Sequence, residues 1–400
     1  MSNDLQYLVK QHYAEAVEEN LHKELTAMDL AEMVDIPNGT TKNIPHVKMR
    51  STGNYTKYTD QTISGVNTGN DQIVINTTPM VNFALDDIDE EDDYINVKPE
   101  VISDATYAIK SRIDWDFFAE VLNAKWKYDA NGFGRNTGTL TPVVLATGAS
   151  QNISATFGNA KAGLVTTGCN ASKLNLVVDA FTTVSLTTLG LEAGFNIADE
   201  SYTRGFKGMF GGMKTYEATN LSATAVLDIA TNVTEGDTVS VQGVTFTFNA
   251  TPSGAGSVDI GADVDTSAAN LVAAINNTGT VGTTYIQLSD DDRARLDGVT
   301  SVATAASDIV TINSKRGALL ASSTMTAAAN DFRAQTINCT IMEKGAIKMA
   351  LRNAVKVKSA RETKQLVTNY FIYARYGLKT TTRGAEKMCR IAIQSTPAEA

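Results

Sequence analysis

The chain has 400 residues, 43% of them apolar, and a formal net charge of -10. That length exceeds what one hydrophobic core fills, so two or three domains are expected, and the average apolar share with an ordinary glycine content excludes a fibrous or disordered chain. Three widely spaced cysteines (Cys169, Cys339, Cys389) and three early histidines (His12, His22, His46) show no metal-ligand spacing, and an odd cysteine count argues against a disulfide framework and for a reducing compartment. The opening MSNDLQYLVKQHYAEAVEEN lacks a basic start followed by an apolar run, and no stretch approaches eighteen apolar residues, so neither a signal peptide nor a membrane span is expected.

The charge is unevenly placed. Residues 222–332 carry twelve acids against four bases, whereas residues 342–390 carry twelve bases against three acids. A basic end on an acidic chain suits an acidic surface, of nucleic acid or of another copy of the chain.

Residues 3–30 read as a helix, with Leu5, Val9, Tyr13, Val17, Leu21, Leu25 and Met28 at near-regular four-residue steps, docked on its own domain or reaching a neighbour as an arm. MVDIPNGTTKNIPHVKM holds two short strand candidates around a turn at Pro37 to Gly39. From Arg50 to Lys98 a polar stretch has no helical period; its apolar residues alternate around Ile73 and Ile75 and again around Val81, Phe83 and Leu85, as in a two-stranded ribbon. Such a ribbon has little core of its own and becomes reasonable when another chain covers it, so Tyr58, Ile73, Ile75 and Phe83 are candidate inter-subunit contacts. Between Asp86 and Asp93 seven of eight residues are acidic: Asp86, Asp87, Asp89, Glu90, Glu91, Asp92 and Asp93. The run meets no calcium-loop spacing and reads as a solvated or partner-facing edge.

Pro99 to Lys127 is the organising stretch. Pro99 suits a first helical turn, Glu100 suits the positive end of the helix dipole, and no further glycine or proline follows until Gly132. Ile102, Ala105, Ile109, Ile113, Phe117 and Val121 form one face, which Tyr107, Trp115, Phe118, Leu122 and Trp126 widen, as in a spine packed on more than one side.

After a glycine- and threonine-rich loop, residues 152–168 suggest a short helix, and KLNLVVDA a strand ending at Asp179 without a phosphate-binding glycine pattern behind it. Gly205, Gly208, Gly211 and Gly212 permit tight turns before a strand at Met213 to Glu217. Residues 222–332 read as a separable domain. Val239 and Val241 alternate, Gln242 and Gly243 turn, and Val244, Phe246 and Phe248 alternate again; a helix capped by Asp265 or Thr266 follows, then strands at YIQL and DIVTIN, and ALLASSTMTAAANDF as a tether. Residues 335–358 suggest a strand, a turn at Lys344 and Gly345, a short helix and a strand. The end supplies strands through Phe371, Tyr373 and Arg375 and through Cys389, Ile391 and Ile393, with an aromatic and basic interleaving that fits a packed strand more simply than base stacking.

No catalytic constellation is found: histidine is absent after residue 46, and there is no GxSxG, HExxH, phosphate loop or CxxC. No cofactor is expected.

In their order, these pieces resemble the major capsid (coat) protein of tailed bacteriophages. The likeness rests on VDIPNGTTKNIP before the ribbon, the spine from Pro99, the strand KLNLVVDA, the glycine-led RGFKGMFGGMKTYEATNL, MEKGAIKMALRN as a helix with a small face, and the closing YFIYARYGLKTTTRGAEKMCRIAI with its Tyr376-Gly377 step. The resemblance implies an α+β fold with an N-terminal arm (1–31), a peripheral domain (32–49, 99–130, 370–395), an extended loop (50–98), an axial domain (131–221, 333–369) and an inserted surface domain (222–332) similar to flagellin-like or Ig-like modules. It implies a structural subunit assembling as hexamers and pentamers into an icosahedral head around double-stranded DNA. A portal and possible decoration proteins would be its partners, and, because residues 1–30 are too short to act as a scaffolding region, so would a separate scaffolding protein, unless the sequence is that of a mature form. Non-specific contact with the packaged DNA and no membrane are implied. The acidic run is then expected to face Lys356, Lys358, Arg361, Lys364 and Arg375 of a neighbouring subunit. A tail or surface fibre component is the alternative, without the repeats such a shaft would show.

Overall fold

The computed structural model of the protein describes residues 25–36, 39–48, 52, 54–60, 65, 68–86, 98–137, 140–145, 152–180, 182–184, 186, 208–303, 309–362 and 367–395. The stripe from Leu5 to Leu21, the acids from Asp87 to Asp93, Gly205 and Lys364 lie outside the described residues.

In chain order the elements are α1 (Ala27–Leu30), β1 (Glu32–Met33), β2 (Thr41–Val47), β3 (Thr68–Val74), β4 (Met80–Asp86), α2 (Lys98–Ala119), β5 (Trp126–Asp129), β6 (Gly132–Arg135), β7 (Val143–Val144), α3 (Ile153–Thr166), β8 (Leu174–Val178), β9 (Met209–Phe210) and β10 (Met213–Glu217). There follow β11 (Ala223–Asp228), β12 (Thr238–Val241), β13 (Val244–Asn249), β14 (Ser257–Asp259), α4 (Val264–Asn276), α5 (Asp290–Arg295), β15 (Val299–Ala303), β16 (Ile309–Ser314) and β17 (Ala321–Thr324). The chain closes with β18 (Asp331–Glu343), β19 (Ile347–Glu362), β20 (Val367–Thr380), α6 (Thr382–Glu386) and β21 (Met388–Ser395).

The spine is α2, extended by a tight turn over Glu120–Asn123. Ala105, Ile109, Ile113, Phe117 and Val121 are buried as the period requires, Ile102 is half-buried, and Phe117 packs edge-on against Phe118 at 5.3 Å. The helix stops short of Lys127. Trp126 lies in β5, which pairs in parallel with β21, and Leu122 is exposed; local periodicity carries no information about that long-range pairing.

Two sheets flank the spine. One has the order β1-β19-β20-β4, and the other runs β15-β16-β11-β18-β21-β5-β6, with β8 and β7 also joined to it and β9 joined through β10. The spine, α3 and residues of both sheets share one core, in which Phe157, Leu176, Ile341, Ile372 and Ile391 are fully buried. The part from Ala225 to Ala321 closes a second core around Val239, Phe246, Phe248, Leu271 and Ile312.

Several expectations need correction. The apolar alternations of 73–75 and 81–85 do not form one ribbon: β3 pairs with β2, and β4 pairs with β20. MEKGAIKMALRN is not a helix: Met342 and Glu343 end β18, Lys344 to Ala346 turn, and β19 begins at Ile347, where β20 on one side and β1 at Lys348 and Met349 on the other hold helix-favouring residues extended. The expected boundary between residues 369 and 370 falls inside β20, and β21 lies in the other sheet, against β18. Residues 222–332 have a core of their own but are not tethered loosely: β11 pairs with β18, and the supposed tether supplies β17, which pairs with β12 because Leu319 and Ala321 are buried. YIQL forms only bridges at Tyr285, and α4 is capped by Asp263, whose carboxylate accepts the Thr266 N–H at 2.8 Å, three residues on. The hairpin of β12 and β13 forms as the alternation predicts, with Gln242 and Gly243 both at positive φ (54° and 76°).

Candidate assembly interface

In β20 the residues Tyr370, Ile372, Ala374 and Tyr376 alternate inward and are buried, while Phe371, Tyr373 and Arg375 lie half-buried on the other face. Phe83 of β4 stacks on Tyr370 at 5.2 Å and 17° and is half-buried. The Tyr376 hydroxyl donates to Asp116 of the spine at 2.6 Å, and burial together with that carboxylate pushes its pKa up. Gly377 follows because a Cβ there would run into the Val74 carbonyl. This close approach locks β20 against β3.

The base of the β2-β3 hairpin is anchored on its own chain. Ile73 and Ile75 are buried in a small cluster with Ile36 and Ala350 of their own chain, a cover that sequence spacing does not reveal. Asp71 pairs with His46 at 3.2 Å and accepts the Thr382 N–H and hydroxyl at 3.0 and 2.8 Å, while Arg383 donates to the Val47 carbonyl at 2.5 Å. Beyond this base Tyr58 is 93% exposed and at a positive φ of 65°, a costly conformation for a bulky residue. Tyr55, 76% exposed, adds a second aromatic that strand patterning did not single out.

Lys356, Lys358 and Arg361 are exposed on β19; Lys358 Nζ lies 5.8 Å from the Tyr373 ring. Arg375 is half-buried opposite Asn353. Asp86 pairs with Val367 at the far edge of the same sheet, so the point where the acidic run departs and the basic strand lie on opposite edges, with β20 between them. Of the glycines, Gly211 and Gly212 (φ 54° and 75°) make the β9-β10 turn, and Gly208 precedes β9.

Where the spine meets residues 290–316, a groove of about 1180 Å³ is lined by Tyr107, Arg112, Trp115, Arg293, Asp297 and Arg316 among others. The guanidinium groups of Arg112 and Arg316 each lie 5.2 Å from the Trp115 ring, and Arg112 also pairs with Asp116 at 3.2 Å. Among the described residues no group of three or more His, Cys, Asp or Glu could hold a metal ion, and no helix is long and apolar enough to cross a membrane.

Comparison with solved structures covers nearly the whole chain. A chain of Mycobacterium phage Che8 aligns over 98% of this chain and 98% of its own length, at 10% identity and a TM-score of 0.52. The capsid structure of the cyanophage P-SCSP1u aligns over 100% and 96%, at 11% identity and a TM-score of 0.51, and the capsid of a native GTA particle over 98% and 98%, at 9% and 0.51. The chain has a phage capsid fold. No family model matches it, and no curated protein matches it by sequence.

Proposed function

We propose that this chain is the structural subunit of a phage head shell and has no catalytic role. The observation that carries the reading is the alignment of 98–100% of the chain with phage chains of this fold, the cyanophage capsid among them. An exposed hairpin tip bearing Tyr55 and Tyr58 and a basic strand whose residues 356–361 are exposed among the described residues are surfaces suited to contacts between copies. Many copies, as hexamers and pentamers, would close an icosahedral shell around double-stranded DNA, with a separate scaffolding protein, a portal and decoration proteins as partners. The acidic run would face Lys356, Lys358, Arg361, Lys364 and Arg375 of a neighbour. Residues 222–332, with twelve acids against four bases, would point outward, since that charge on the inner wall would repel phosphates. A tail or surface fibre component draws no support from a capsid fold shared from end to end. Size exclusion of the purified chain followed by negative-stain microscopy tests the reading: rings or closed shells are expected, and a chain that stays monomeric at every concentration and with added scaffolding protein overturns it.

A further inference from the structure

Among the described residues, the outer edge of β19 is paired over only part of its length. β20 pairs with β19 from Ile347 to Glu362, whereas on the opposite side β1 covers only Lys348 and Met349. Just beyond, Ala350 is buried with Ile36 and Ile73, and Arg352 donates to the Gly39 carbonyl at 2.5 Å. From Lys356 to Arg361 every residue is exposed, Val357 included at 46%, and among the described residues no strand pairs with the outer side of this stretch. An open edge presents outward N–H and C=O groups at alternate residues, a ready template for another strand.

The side chains on this edge select the occupant. Lys356, Lys358 and Arg361 set like charges against any basic strand, so a second β19 edge is repelled. An acidic segment meets these charges favourably, Lys356 and Lys358 on one face of the strand and Arg361 on the other. The chain contains one such segment, residues 86–93, with seven acids in eight. It leaves the sheet from the end of β4, the strand at the other edge, so its own β19 edge lies across the width of the sheet from its point of departure. Building on the shell-subunit reading above, we propose that residues 86–93 of a second copy add as a strand to the β19 edge between Lys356 and Arg361, extending the β1-β19-β20-β4 sheet from one copy into the next.

Amide hydrogen exchange on the wild-type chain, before and after assembly, reads this directly. Residues 356–361 are expected to gain at least about tenfold protection on assembly, as strand pairing closes the edge. A Lys356→Glu/Lys358→Glu chain should assemble more slowly at unchanged urea midpoint, and mixing it with an Asp89→Lys/Glu90→Lys chain should restore the rate. Oxidising a mixture of Lys358→Cys and Asp89→Cys chains should join two different chains. Assembled wild-type particles in which residues 356–361 exchange as fast as in the free chain would overturn the strand addition while leaving the shell reading intact. A wild-type chain that never oligomerises would remove both.

Discussion

Asp114 and Asn220, 106 residues apart, are joined by a hydrogen bond in which the Asn220 amide donates to the buried Asp114 carboxylate at 2.9 Å. The other carboxylate oxygen accepts the backbone N–H groups of Thr26 and Ala27 at 3.0 and 2.8 Å. One side chain of the spine therefore fixes where residues 25–30 enter the fold and where the chain leaves for β11. Burial pushes its pKa up despite these donors, so a neutral replacement of the same shape should be tolerated better than truncation. Asp114→Ala strands three buried donors and should cost roughly 2–5 kcal/mol in urea denaturation, with Asp114→Asn costing clearly less. An Asp114→Ala midpoint equal to that of the wild type would show that this side chain is not what holds these segments.

Phe117 is fully buried and Lys110 is exposed on the same helix. Phe117→Ala should lose about 3–5 kcal/mol, because the surrounding strands cannot collapse into the cavity. Lys110→Ala should stay within about 0.5 kcal/mol of the parent. Comparable urea midpoints for both would remove the spine from the centre of the core.

Burial alone would raise the Glu386 pKa, but Lys125 and Arg383, each donating at 2.8 Å, hold it below the ordinary value. A carboxylate whose folded pKa is depressed stabilises above its unfolded pKa, about 4.3 for Glu, and that contribution is lost as pH falls through the folded value. The wild-type urea midpoint should therefore drop more steeply than that of Glu386→Gln on acidification below about pH 4.5. Parallel pH profiles would refute the coupling of α6 to β5 through this residue.

The three thiols differ in access. Cys339 and Cys389 are buried, with burial pushing both pKa values up, and Cys339 also sits beside Asp179; Cys169 is only half-buried, with a milder upward shift. Since thiolate fraction and exposure govern alkylation, iodoacetamide should label Cys169 first in the native chain and reach the other two only on unfolding. Mass spectrometry showing early labelling of Cys339 would contradict the packing of β18 against β8.

Residues 222–332 close a core of their own but pair with the rest through β11 and β18. Expressed alone, they should give a dispersed amide spectrum, because Phe246, Phe248 and Leu271 keep their partners. A featureless spectrum would mean that β18 is needed to complete the unit.

How far the sequence reached can be followed residue by residue. The period-four face of Ile109, Ile113 and Phe117, the turn at Gln242 and Gly243, and the alternation of Val239, Val241, Phe246 and Phe248 each rest on neighbours within a few residues, and local sterics and amphipathicity determine them. Only the tertiary structure decided which strands pair. Nothing near Ile73 says that it is covered by Ile36 and Ala350, nothing in AIKMALRN says that β20 will hold it extended, and nothing in the charge runs says that they leave from opposite edges of one sheet. Pairing between residues tens to hundreds of positions apart is chosen by the burial and hydrogen bonding that the whole fold makes available, and helix propensities of a few tenths of a kcal/mol per residue yield to it.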